Sequence, residues 1–86
     1  MERTVKILNE SGMHARPAGA FVKKATGFSS DINVEVNGKT LNAKSIMNIL
    51  SLGLKKDDEI KIVATGDDAE QAVEALVDLV NSKFGE

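Results

Sequence analysis

The sequence predicts an α+β fold, a two-layer open-faced sandwich in which helices cover one face of a sheet. Segments with strand alternation and segments with helical periodicity follow one another in the order β-α-β-β-α-β-α. The four strand segments are short and alternate apolar with polar side chains, which indicates one buried and one open sheet face. An Asn-Gly pair between the second and third strands predicts a hairpin. With 86 residues in all, we expect residues 1–86 to form a single domain.

The first strand is predicted over residues 3–8, where Val5 and Ile7 alternate with polar neighbours. A loop follows, and a helix is expected over residues 16–26. Pro17 suits its first turn, because proline lacks the N–H that has no intrahelical partner there. Gly27 is the expected end. The helix has four apolar residues on one face: Ala18, Phe21, Val22 and Ala25.

Residues 31–43 carry the hairpin, with Asn37-Gly38 as the turn. A short helix is expected from Ser45, at or beside the N-cap, to about Leu52. The last strand is predicted over residues 59–65. We expect it to lie between the first and second strands, in the split βαβ arrangement.

The last helix is predicted to begin at Asp67 or Asp68 and to run to about residue 83. Asp67 and Glu70 have the spacing of a capping box. A continuous apolar stripe along this helix indicates the face that packs on the sheet.

Composition excludes several classes of function. The net charge of −2 weighs against binding to nucleic acid, and an RNA-binding α+β domain would need surface aromatics, whereas the chain has no Tyr or Trp. With no Cys and one His, we expect no metal and no cofactor. We read no signal peptide and no membrane insertion, and the absence of Cys fits a cytoplasmic protein.

The segment from Ser11 to Ala18 carries the chemistry. His14, a residue that titrates near neutrality, falls just before a predicted helix start, where backbone N–H groups attract anions. Arg16 can hold phosphate oxygens, Ser11 offers a hydroxyl, and Gly12 lets the backbone approach a ligand. These residues fit a phosphoryl group on the His14 ring. By themselves they do not separate a phosphohistidine from a phosphate-binding site, or from an ordinary loop histidine.

The run Gly-Met-His-Ala-Arg-Pro-Ala over residues 12–18 resembles the active-site segment of the HPr family, the histidine-containing phosphocarriers of the bacterial sugar phosphotransferase system. Residues 37–39 (Asn-Gly-Lys), 43–47 (Ala-Lys-Ser-Ile-Met) and 51–53 (Ser-Leu-Gly) resemble the family's second segment at the expected spacing. The pattern around Ser45 is similar to that of Gram-positive members. The resemblance implies a four-stranded antiparallel sheet covered by three helices.

The resemblance also implies a carrier rather than an enzyme. His14 matches the histidine that accepts phosphate through Nδ1 from phosphorylated enzyme I and donates it to enzyme IIA domains. Arg16 matches the arginine that stabilises the phosphoryl group. We therefore expect a monomer that meets its partners in turn. The phosphate-binding positions are predicted to be Ser11, Gly12, Ala15, Arg16 and Pro17.

Ser45 has a structural explanation as an N-cap, yet its helix has more apolar residues than one buried face can use. Ile46, Met47 and Leu50 are therefore predicted to form an exposed partner-binding surface. The resemblance implies that Ser45 is a regulatory phosphorylation site, with HPr kinase/phosphorylase and a catabolite-control transcription regulator as further partners. The alternative function is that of a regulatory or nitrogen-related paralogue acting mainly as a protein-binding module.

Overall fold

The computed structural model describes residues 1–85, and its elements follow the predicted order. The strands are β1 (Glu2–Lys6), β2 (Asp31–Val36), β3 (Lys39–Asn42) and β4 (Glu59–Thr65). The helices are α1 (Ala15–Thr26), α2 (Ile46–Ser51) and α3 (Ala69–Asn81), and a 3-10 turn follows over Lys83–Gly85. The α+β prediction is confirmed.

The sheet has the strand order β1-β4-β2-β3, and every neighbouring pair is antiparallel. The last strand therefore lies between the first and second, as predicted. The hairpin is confirmed as well, because Val36 pairs with Lys39 and leaves a two-residue turn. In that turn, Asn37 and Gly38 have φ of 51° and 82°, the backbone that a type I′ turn requires.

The core lies between one face of the sheet and the helices. Inward residues of the strands, such as Ile32 and Ile62, meet Phe21 of α1 and Leu76 of α3, and all four side chains are buried. The opposite sheet face is open and polar. On it, Lys61 Nζ lies 3.7 Å from Glu2 and 3.6 Å from Glu35. The helices therefore cover only one of the two sheet faces.

The first strand is shorter than predicted, since β1 ends at Lys6 rather than at residue 8. Ile7 no longer pairs with β4 because the chain before β4 turns away. The Ile7 N–H donates to the Asp58 carbonyl at 2.8 Å, and the Ile7 carbonyl accepts from Asp57 N–H at 2.7 Å. The end of β1 is thereby tied to the turn over residues 55–58.

The predicted capping box of α3 is wrong. The helix begins at Ala69, and within residues 1–85 the N-cap residue Asp68 makes no side-chain cap bond to its own helix. Its carboxylate instead accepts hydrogen bonds from the N–H groups of Ser29 and Ser30, at 2.9 and 3.0 Å, and from the Ser30 hydroxyl. A tertiary contact to the chain before β2 has replaced the local cap.

The end of α3 also differs from the prediction. The helix stops at Asn81, and Lys83 and Phe84 both take left-handed φ values, 58° and 57°. This turn buries the Phe84 ring against the core.

Within residues 1–85, no helix has the length and apolar character needed to cross a membrane.

Candidate functional site

His14 is the N-cap residue of α1. Its backbone is extended, with φ −87° and ψ −164°, and its carbonyl accepts from Ala18 N–H at 2.9 Å. The imidazole is exposed and, within the described residues 1–85, makes no cap bond to the first turn. The ring therefore projects from the helix start without being tied to it.

The first turn of α1 makes the surroundings of His14 electropositive. Ala15 and Arg16 are its first two residues, and their backbone N–H groups point out of the helix end. Pro17 is buried and supplies no N–H. The first turn has no acidic residue, and the Arg16 side chain is exposed beside it. The macrodipole and the guanidinium thus favour an anion at the His14 ring.

The loop before His14 is packed closely against the chain that follows α2. Gly12 has φ of +66°, and Met13 donates its N–H to the Leu54 carbonyl at 2.9 Å. A Cβ at Gly12 would stand 2.9 Å from Lys55 Cα, so only glycine fits this approach without a shift. The buried Met13 side chain fixes the loop from the inside. His14 therefore extends from a rigid backbone.

Asn9 belongs to this loop and was not singled out from the sequence. Its side chain is only 1% exposed. Its Nδ2 donates to the Gly12 carbonyl at 2.7 Å and to Ser11 Oγ at 3.1 Å. The signal that could have found it is the strand alternation itself, because Val5, Ile7 and Asn9 follow one another at period two on the inward face.

A surface ion pair joins the same loop to the 55–58 turn. Lys56 Nζ lies 2.6 Å from Glu10 Oε1, and both side chains are exposed. The hydrogen bond from Lys56 lowers the pKa of the Glu10 carboxyl and raises the pKa of the Lys56 ammonium. Solvent screens such a pair, so it adds little to the backbone contacts that hold the loop.

Ser45 is the N-cap of α2, as predicted. Its Oγ accepts from Asn48 N–H at 3.3 Å, and its carbonyl accepts from Ile49 N–H at 3.1 Å. Ser45 is half-buried, and the two residues that follow it in α2, Ile46 and Met47, are exposed.

Three apolar side chains of α2 face outward, while Ile49 is buried and Leu52 half-buried. We call the exposed set the α2 patch: Ile46, Met47 and Leu50, with exposed fractions of 36%, 71% and 37%. Helix α2 packs against α1, and the chain leaving α2 reaches Met13 through Leu54. The two segments singled out from the sequence are thus brought into one continuous part of the fold.

No cluster of three metal-ligating side chains is found within residues 1–85.

A family model described as the PTS HPr component phosphorylation site matches residues 1–82. The chain belongs to the HPr family. Its members are carriers of the phosphotransferase system rather than enzymes, so this chain is an HPr phosphocarrier. The family implies enzyme I and enzyme IIA domains as partners.

Solved HPr structures agree closely with this fold. HPr-C-His from Thermoanaerobacter tengcongensis is 55% identical, with a TM-score of 0.97 over 100% of this chain and 97% of that one. The phosphocarrier HPr from Bacillus anthracis is 45% identical, with a TM-score of 0.90 over 93% and 95%.

A paralogue of HPr resembles this chain at a lower identity and a lower TM-score. Crh from Bacillus subtilis, a catabolite repression protein solved as a swapped dimer, is 39% identical with a TM-score of 0.77 over 92% and 91% of the two chains. The likeness to HPr from Gram-positive bacteria is therefore the stronger one.

Proposed function

We propose that His14 is the residue that carries the phosphoryl group, accepting it from phosphorylated enzyme I and donating it to enzyme IIA domains. The observation that supports this most is the exposed His14 ring at the N-terminus of α1, with the first-turn N–H groups and Arg16 around it. A neutral ring nitrogen attacks phosphorus as the bond between phosphorus and enzyme I breaks. In the second transfer, the bond between phosphorus and the His14 ring breaks as enzyme IIA forms its own bond to phosphorus.

The surroundings of His14 fit a phosphoryl dianion. Backbone N–H groups of Ala15 and Arg16 and the Arg16 guanidinium donate charge-assisted hydrogen bonds to its oxygens. The Ser11 hydroxyl adds a donor, and Gly12 allows the close backbone approach. Because these donors lie at the edge of an exposed site, the phosphate remains open to the next acceptor.

The α2 patch is the proposed docking surface for these partners. Met47, with 71% of its side chain exposed, is the most exposed apolar side chain in it. Apolar contacts at an exposed patch bind several partners without a fixed geometry, and methionine adapts well to such use.

Ser45 is proposed as a regulatory phosphorylation site for an HPr kinase/phosphorylase. A phosphate here would add about two negative charges beside the α2 patch, at a helix N-terminus that tolerates them. Enzyme I would bind less well, whereas a catabolite-control regulator with a basic surface would bind better.

The deciding experiment incubates the chain with phosphoenolpyruvate and enzyme I and determines the chemistry of the bond formed. We expect one acid-labile, alkali-stable phosphate, which His14→Ala abolishes while leaving the fold intact, since the ring makes no cap bond within residues 1–85. Labelling that persists in His14→Ala would refute the assignment.

The similarity to Crh supports a second candidate, a regulatory binding module that acts through Ser45. Such a protein would take phosphate on Ser45 from a kinase but none from enzyme I. A nitrogen-related carrier would instead accept phosphate on His14 only from its own enzyme I. Labelling in parallel with enzyme I, with a nitrogen-related enzyme I and with the kinase distinguishes the sugar carrier, the nitrogen-related carrier and the regulatory module.

We infer that the chain acts as a monomer, supported by the polar open face of the sheet. A dimer of the 55%-identical HPr from Thermoanaerobacter tengcongensis has been solved, with a TM-score of 0.82 to this chain. Light scattering at working concentration distinguishes the two states.

A further inference from the structure

We propose that Asn9 is a positioning residue for the phosphohistidine site, holding the loop before His14 and turning the Ser11 hydroxyl into a donor toward the phosphoryl group. The inference rests on the proposed function of His14. It concerns a residue that lies five positions before the histidine and contacts the loop from the inside.

Two kinds of hydrogen bond from Asn9 close the loop. Its backbone carbonyl accepts from Gly12 N–H at 3.1 Å, and its side-chain Nδ2 donates to the Gly12 carbonyl at 2.7 Å. Gly12 is thus held at both its N–H and its carbonyl by one residue. The next peptide is held by Leu54, through Met13 N–H. The backbone is therefore fixed up to the residue before His14.

The orientation of the amide follows from these contacts. A carbonyl oxygen lies 2.7 Å from Nδ2, and the reversed amide would set two acceptors against each other. In the orientation present, Oδ1 is buried and accepts no hydrogen bond from any residue within 1–85.

A buried acceptor without a partner is unfavourable. The inward position that Asn9 occupies continues the apolar series of Val5 and Ile7, and an apolar side chain would fill it without that cost. What the amide adds is a pair of donor hydrogens, and both are directed at the loop that precedes His14.

The second of those bonds sets the role of Ser11. Because Ser11 Oγ accepts from Asn9 Nδ2, the hydroxyl hydrogen of Ser11 points away from Asn9. With Asn9 as its donor, the hydroxyl keeps its own hydrogen for donation to a group on its other side. On phosphorylation of His14, that donor is directed to a phosphoryl oxygen, where a charge-assisted bond is stronger than a neutral one.

The test uses Asn9→Leu, which keeps the branched shape and removes both donors and the unpartnered acceptor. Potassium phosphoramidate serves as the phosphoryl donor: the new bond joins phosphorus to the His14 ring nitrogen, and ammonia leaves. No partner protein docks in this reaction, so the α2 patch does not contribute to its rate.

We expect Asn9→Leu and Ser11→Ala each to slow phosphorylation of His14 about tenfold, and the double variant to be no slower than either single one. The midpoint of thermal unfolding of Asn9→Leu should stay near that of the wild type, although its phosphorylation rate falls. Asn42→Leu is the matched control and should react at the wild-type rate, because Asn42 lies on β3 and its side chain bonds to Lys44 N–H.

A wild-type rate in Asn9→Leu, or losses that multiply in the double variant, would overturn the proposal. If Asn9→Leu does not fold by circular dichroism, Asn9→Asp replaces it, since a carboxylate accepts from Ser11 and reverses its hydroxyl, with the same loss expected. Failure of the carrier function gives a different result, in which phosphoramidate labels His14 but enzyme I does not.

Discussion

A Cβ atom on Gly12 would lie 2.5 Å from the carbonyl oxygen of Leu54. The two residues come from the loop before His14 and from the chain that leaves α2, so this approach joins the two segments that carry the proposed chemistry. Gly12 also has φ of +66°, a conformation that side chains disfavour. Both the space and the backbone at Gly12 therefore require glycine.

Gly12→Ala should lower the free energy of unfolding more than Gly53→Ala. Both glycines have left-handed φ, +66° and +59°, but a Cβ at Gly53 would meet no atom within 4 Å. Gly53→Ala should therefore show only the backbone strain, about 1–2 kcal/mol. Gly12→Ala adds a backbone clash and should exceed it by about 1 kcal/mol or more. Urea unfolding of both variants measures the difference. Equal losses in the free energy of unfolding would show that the backbone of Leu54 and Lys55 moves aside without destabilising the fold.

Arg16→Ala should slow phosphotransfer from enzyme I about tenfold or more, because a charge-assisted contact to the phosphoryl group contributes about 1.5–3 kcal/mol. The exposed side chain should change stability by no more than about 0.5 kcal/mol. Arg16→Lys should restore the rate only in part, since an ammonium lacks the planar fork. Arg3→Ala, which removes the exposed arginine of β1, is the control for charge alone. A wild-type rate in Arg16→Ala would exclude the role assigned to this side chain.

Ser45→Asp should raise the KM toward enzyme I while leaving the fold unchanged, because an acidic N-cap is tolerated but places charge beside the α2 patch. Ser45→Ala should lose about 0.5 kcal/mol, the lower end for an N-cap, since the bond to Asn48 N–H is 3.3 Å long. Its KM should remain normal. Thr40→Asp makes a like charge change on the open sheet face and should not affect KM. Should Ser45→Asp match wild type in KM, Ser45 would be a cap only.

The contact between Asp68 and the Ser29-Ser30 segment should make stability depend on pH in acid. The Ser30 hydroxyl first, and then the N–H groups of Ser29 and Ser30, lower the pKa of the Asp68 carboxyl to about 2. An unfolded chain has the ordinary aspartate pKa, about 3.9. The stabilisation is therefore fully present above pH about 4 and is lost as the pH falls toward 2.

Asp68→Asn should be less stable than wild type at neutral pH, and the difference should shrink between pH about 4 and 2. Thermal unfolding across that range measures it, and an NMR titration gives the carboxyl pKa directly. Asp67→Asn, at the exposed neighbouring position, provides the control for charge. A difference that stays constant down to pH 2 would contradict the assignment to Asp68.

Local patterns were sufficient for the elements and their order. The Asn37-Gly38 turn, the N-cap at Ser45 and the exposed α2 patch are each specified within a few residues, and the structure has all three. The same holds for the placement of His14 at a helix start, because the capping positions of α1 lie within one turn of it.

Features that depend on distant segments were missed. Asp68 lacks a local partner because it bonds to Ser29 and Ser30, 39 and 38 positions away. β1 ends early because Ile7 pairs with the turn at Asp57 and Asp58. The inward alternation of Val5, Ile7 and Asn9 indicates the burial of Asn9 but not its hydrogen bonds to the loop. Local periodicity contains no information about such pairings.

The strand order has a consequence for synthesis of the chain on the ribosome. β1 is made first, yet its one partner in the sheet is β4, with Glu2 opposite Val63. Until β4 has left the exit tunnel, β1 has no strand to pair with, and such non-local closure is intrinsically slow. A nascent chain at that stage would therefore display His14 beyond a strand that is not yet anchored in the sheet. Full phosphate acceptance would thus wait for β4 to pair with β1.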